Sequence, residues 1–117
     1  MIRQEYRAEL IRLYLDAPDT PPRPRRRDWA IADKLYQANV PLEELAHAIR
    51  LATLRRCLST DPLPQIHSLA YYRAVHRALT TDELDPLYIR YIQLRHRSLL
   101  EEDETKSATT QPESRTL

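Results

Sequence analysis

Glycine is absent from all 117 residues, and that absence removes whole classes of structure. Two-residue hairpins and phosphate-cradling loops need positive φ or a close backbone approach that glycine supplies best, so neither β-hairpins nor a P-loop is expected. Phenylalanine is absent too, which leaves Trp29 and seven tyrosines as the aromatic set. The single cysteine, Cys57, excludes an internal disulfide and a Cys-rich zinc site. No apolar run approaches the roughly 20 residues a membrane-spanning helix needs. The opening Met1-Ile2-Arg3-Gln4-Glu5-Tyr6 lacks the apolar core of a secretion signal. No membrane partner is expected, and the cytoplasm is the expected compartment.

What is present is ordinary for a folded chain: 42% apolar and 30% charged residues, enough for one domain with a modest core. Net charge is only +1, but it is unevenly spread. Residues 1–100 carry 16 Lys/Arg against 12 Asp/Glu, whereas residues 101–117 carry two against five. A solvated surface with a solubilising tail accounts for this. So does a basic face for nucleic acid, with a tail that tempers non-specific binding.

Helical periodicity runs through the chain. Ile2, Tyr6, Leu10 and Leu13, widened by Ile11 and Tyr14, predict a helix over residues 2–16. Four prolines between Asp16 and Pro24 then predict an extended connector. A second helix is expected to start with Asp28 as its cap, with Trp29, Ala32, Leu35 and Tyr36 facing one way and Asn39 as a left-handed stop. Pro41 opens a third, with Glu43 and Glu44 in its first turn, Leu42, Leu45, Ile49, Ala52 and Arg56 marking its phase, and Leu51, Leu54 and Leu58 broadening its apolar side. After the rigid Asp61-Pro62-Leu63-Pro64 break, Ser68 caps a fourth helix with Leu69, Tyr72, Val75 and Leu79 as its buried stripe. Asp82 or Asp85 caps a fifth, with Pro86 in its first turn. Along it, Leu87, Tyr91, Leu94 and Ser98 share one face, and Tyr88, Ile92 and Leu99 a neighbouring one. The expected fold is therefore all-α: one compact bundle of about five helices over residues 1–102, then a disordered acidic tail over 103–117. Trp29, Leu45, Ile49, Tyr72 and Val75 are the expected core markers.

The strongest local constellation is Arg23-Pro24-Arg25-Arg26-Arg27, just before Trp29. Guanidinium groups crowded on an extended segment suit phosphates, since each can fork onto one. A charged linker that merely stays extended, or an arm for an acidic protein surface, would look the same. Arg50, Arg55, Arg56, Arg73 and Arg77, with His76, add cations to the third and fourth helices, which share a face if those helices pack antiparallel. Tyr71 lies about 100° around the helix from Tyr72, placed either to stack on a base or to cover a seam. Leu35 through Leu45 has the outline of a helix–turn–helix. Leu35 is bulky for that motif and Glu43 and Glu44 would face phosphates, so a plain helical corner is preferred. The candidate nucleic-acid-binding residues are thus Arg23, Arg25, Arg26, Arg27, Arg55, Arg56, Arg73, Arg77 and Tyr71.

Catalytic patterns are thin. His47-Ala48-Ile49-Arg50 has the His-x-x-Arg spacing of tyrosine recombinases, but the rest of such a site has no counterpart in so short a chain. His47, His67, His76 and His96 are not spaced as metal ligands, and no nucleophile motif occurs. No catalytic residue, metal or cofactor is expected.

The run Val40-Pro41-Leu42-Glu43-Glu44-Leu45 with Ala48-Ile49, followed by Ile66-His67-Ser68-Leu69-Ala70-Tyr71-Tyr72-Arg73-Ala74-Val75, resembles the helical DnaD-like domain of bacterial, plasmid and phage replication-initiation proteins. The resemblance spans residues 28–79 and implies DNA binding and recruitment of replication partners, with Tyr72 and its neighbours near the functional surface and a larger protein of a replication or mobile-element complex as the expected partner. The arginine-rich connector and the fifth helix depart from it. The expected function is a non-catalytic nucleic-acid-associated module, with DNA favoured over RNA. The alternative is a protein–protein adaptor or small subunit of a larger assembly.

Overall fold

A computed structural model describes the backbone of residues 1–115 and the side chains of residues 1–101. It contains α1 (Arg3–Asp16), α2 (Arg26–Gln37), α3 (Leu42–Leu58), α4 (Ala70–Arg77) and α5 (Pro86–Arg115), with no strand among the described residues. The expected tail over 103–117 lies outside the residues described with their side chains.

With no glycine to hand, the two left-handed positions fall to Asp19 (φ 64°) and Asn39 (φ 59°). Short polar side chains tolerate that region best among the other residues. Asn39 ends α2 as the sequence predicts: its N–H donates to the Tyr36 carbonyl at 3.0 Å and that of Val40 to the Leu35 carbonyl at 3.1 Å. These are the two bonds of a Schellman stop. Ser68 Oγ accepts from the Ala70 N–H at 3.1 Å, and Asp85 Oδ1 accepts from the Leu87 N–H at 2.8 Å with Pro86 as the first helical residue. Asp28 differs from expectation. The cap of α2 is Arg25, whose extended backbone donates to Asp28 Oδ2 from the third helical position at 2.8 Å.

Neighbouring side chains fix the packing directions. Tyr6 meets Tyr36 edge-on and donates to the Val40 carbonyl, while Arg7 pairs with Asp33 at 3.0 Å and lies over Trp29, so α1 and α2 are antiparallel. His76 bonds Glu44 at one end of α4 and Tyr71 stacks under Arg56 at the other, which makes α3 and α4 antiparallel. Tyr88 contacts His47, while Leu99 and Leu58 line one groove further along, so α5 runs parallel to α3.

Helix α3 therefore has α1, α4 and α5 around it. It buries Leu45, Ala46, His47, Ala48, Ile49, Leu51, Ala52 and Thr53, residues from its whole circumference. Three alanines let neighbours approach closely, and each of the two buried polar side chains makes one hydrogen bond: His47 Nε2 donates to the Glu83 carbonyl at 2.8 Å, and Thr53 Oγ1 to the Ile49 carbonyl at 2.8 Å, while His47 Nδ1 has no hydrogen-bond partner among the described residues. Of the expected core markers, Leu45, Ile49 and Tyr72 are buried, while Trp29 and Val75 are half-buried at the edge of the core. Trp29 is held out by the Arg7 guanidinium across its ring. Ile31, absent from the expected stripe, is buried in its place. Ile2 precedes α1 and is 57% exposed, so the α1 stripe starts one turn later, at Tyr6.

Candidate functional site

The N-termini of α2 and α4 meet at one end of the bundle, and a single carboxylate joins them. Asp28 is 1% exposed. Its Oδ2 accepts from the Arg25 N–H, and its Oδ1 accepts from the Leu69 N–H at 2.9 Å and, at 3.4 Å, from the Ser68 hydroxyl. The side chain reaches from the start of α2 to Leu69, 41 residues on, at the start of α4, and it pins the arginine-rich connector to the fold at its last residue. A buried carboxylate is tolerable here because backbone amides at two positive helix ends surround it.

Upstream of that pin, Arg23, Arg25, Arg26 and Arg27 are all exposed. No side-chain hydrogen bond or ion pair engages any of the four guanidinium groups among the described residues. Arg26 and Arg27 occupy the first turn of α2, where the helix dipole disfavours cations. Their charge weakens the local fold rather than supporting it.

The other candidates are differently placed. Arg56 is a clamp: its Nη2 donates to the Pro64 carbonyl at 2.6 Å, lies 3.3 Å from Asp19 Oδ2, and its guanidinium stands 5.7 Å from the Tyr71 ring centre. The Arg56 side chain is only 10% exposed, so it ties both proline-rich connectors to the end of α3. Tyr71 is partly exposed at this same end, with Arg56 against its ring and Tyr72 edge-on to it. Arg55 points toward α5 and pairs with Glu83. Arg73 is half-buried and Arg77 exposed, one turn apart on the flank of α4. Arg77 lies at the far end of that helix, roughly 12 Å from its start at 1.5 Å per residue. The structure thus brings Arg23, Arg25, Arg26, Arg27, Arg56 and Tyr71 to one end, and turns Arg55 and Arg77 away from it.

Three features escape a reading of the sequence: the bridge Asp28 makes between the starts of α2 and α4, the clamp by Arg56, and a second basic region on α5. The capping pattern is hidden because an arginine stands where Ser or Thr usually marks it. On α5, Arg90, Arg95 and Arg97 are exposed, and no acid occurs between Pro86 and Leu100. His47 and His96 are both pushed below the ordinary histidine range, chiefly by burial, with the Arg50 charge adding to each. Among the described residues no cluster of three or more His, Cys, Asp or Glu could hold a metal ion, and no helix is long and apolar enough to cross a membrane. Comparison of the chain with protein-family models, with curated proteins and with solved structures finds no match.

Proposed function

We propose that this chain is a non-catalytic, nucleic-acid-associated module whose phosphate contacts are made by Arg23, Arg25, Arg26 and Arg27. The observation that carries the proposal is their placement. Four exposed guanidinium groups have no counter-ion among the described residues, and two of them sit where the helix dipole opposes them. An anionic partner relieves that repulsion, and a polyphosphate backbone offers successive charges at the spacing an extended arm can follow. Arg56 and Tyr71 shape the floor of this end, while Arg73 extends the basic area along α4. DNA is the preferred target, and a replication or mobile-element setting follows from the DnaD-like resemblance over residues 28–79.

The test is a salt series with labelled single- and double-stranded DNA and RNA. Replacing Arg25, Arg26 and Arg27 together by Ala should leave the melting temperature unchanged or slightly raised, because only unfavourable dipole contacts are lost. The triple variant should bind more weakly and with a salt slope shallower by about one counterion per lost contact. The loss should be alike across sequences, because phosphate contacts carry no base information. Unchanged affinity and slope in a folded triple variant would remove the arm from the interface.

A further inference from the structure

Helix α5 packs on α3 through Tyr88, Ile89, Ile92 and Leu99, and of these only Ile92 is fully buried. The adjacent face carries a second apolar row. Leu87, Tyr91 and Leu94 are 82%, 53% and 45% exposed. Their spacings of four and three residues average the 3.5-residue period of a helix–helix seam. Between this row and the end of α3 lies a groove of about 360 Å³, lined by Leu51, Leu54, Leu58, Tyr88, Tyr91 and Leu99. Leu58, expected to widen the buried side of α3, is instead 76% exposed at its rim. So much clustered apolar surface on a small chain marks an interaction site rather than a solvated face.

The charges around the groove narrow the occupant. Of the exposed arginines on α5, Arg95 lines the groove, Arg90 stands one turn from Leu87 and Leu94 at the outer edge of the row, and Arg97 lines a separate pocket with Arg50 and His96; none of the three has an ion pair among the described residues. Arg55 lines the groove as well, but its charge is already met by Glu83, which leaves Arg95 as the groove's unpaired cation among the described residues. A second copy seated on this face would set those cations against their own equivalents. A nucleic acid would satisfy the cations and leave the leucines wet. A ligand that is apolar along one stripe and acidic on its flanks answers both features.

We propose that the groove between α3 and α5 docks an amphipathic helix of a partner protein, with an apolar stripe spanning about four turns and Asp or Glu flanking it. This face is distinct from the arginine arm, and the inference stands independently of nucleic-acid binding.

The probe is a fluorescein-labelled helical peptide of about 18 residues, with Leu at i, i+3/i+4 and i+7 and Glu elsewhere, titrated with the full chain. A matched peptide with Lys in place of each Glu is the control. The acidic peptide should bind at least about tenfold more tightly than the basic one. Leu94→Asp and Arg95→Glu should each weaken it about tenfold or more, without changing the melting temperature, since both residues are exposed. Cys57, the only cysteine, lines the groove, so bound acidic peptide should slow its alkylation by iodoacetamide. The Arg25/Arg26/Arg27→Ala variant should bind the peptide as the parent does, which separates this site from the arm. Equal affinity for the two peptides, no binding of either, or unprotected Cys57 would overturn the proposal. So would a chain that sediments as a dimer and is made monomeric by Leu94→Asp, or duplex DNA binding that Leu94→Asp weakens.

Discussion

Helices α3 and α5 lie side by side, and both are rich in apolar residues, yet they live in different environments. Eight of the fifteen residues from Pro86 to Leu100 are Leu, Ile or Tyr, but only Ile92 is fully buried. Helix α3 buries residues on every side, a histidine and a threonine included. Composition does not separate them. The number of neighbours does: α3 is enclosed by α1, α4 and α5, whereas among the described residues α5 packs extensively on α3 only. Burial belongs to a position in the bundle before it belongs to a residue, and a helix at the edge keeps apolar surface to spare.

The comparison is easiest to break at its most buried point. Ile49→Ala should cost about 2–5 kcal/mol in chemical denaturation, because α1, α4 and α5 hold the surrounding side chains and the cavity cannot collapse. A loss near zero would mean that α3 is not the centre of the bundle.

Next in size is the polar counterpart of that core. Asp28→Ala should cost about 3 kcal/mol, the scale of hydrogen bonds to a charged acceptor, and leave the Leu69 N–H buried without a partner. Urea melts would show it, and a cost of only a few tenths would imply that α4 starts without Asp28.

The seam between α3 and α5 should announce itself through pH. Burial lowers the affinity of His47 and His96 for protons, so the unfolded chain takes up protons that the folded chain resists. Their contribution to stability is whole above the unfolded value of 6.5 and is lost as pH falls below it toward the lower folded values. The melting temperature should therefore drop between about pH 7.5 and about pH 5.5, and His47→Gln should flatten part of that drop. Glu9 and Glu83, held below the usual carboxylate range by hydrogen bonds, act only in the more acidic window below 4.5. A variant as steep as the parent would place the titrating group elsewhere.

The smallest effect should fall on the outer row of α5. Leu94→Ala should change stability by no more than about 0.5 kcal/mol, as surface substitutions do. A cost near that of Ile49→Ala would mean that something already covers this face in the isolated chain.

The features legible in the sequence were those settled within a few residues. Asn39 stops α2 because no glycine is available and its neighbours' amides find carbonyls one turn back. Ser68 and Asp85 each accept from the amide two residues on, and Pro86 loses nothing at a position where its missing N–H is not needed. Helix number followed from such local chemistry, as did the candidate arm, whose four arginines are consecutive but for one proline, whereas α2 begins at Arg26, ahead of the expected Asp28 cap. The choice between the two apolar rows of α5 was not local. Leu87, Tyr91 and Leu94 are as apolar as Tyr88, Ile92 and Leu99, and the row that packs was selected by where α3 lies. Asp28 likewise bonds the start of its own helix by short-range geometry and reaches the start of α4 only because the fold delivers Leu69 to it. Arg55 and Arg56 are adjacent, yet Glu83 takes one and Asp19 with Pro64 takes the other, so their availability was decided by residues distant in the chain. Local backbone amides and periodicity fixed the five helices; which faces meet, and which cations remain unpaired, depended on contacts between residues far apart in sequence, and those exist only once the bundle has closed.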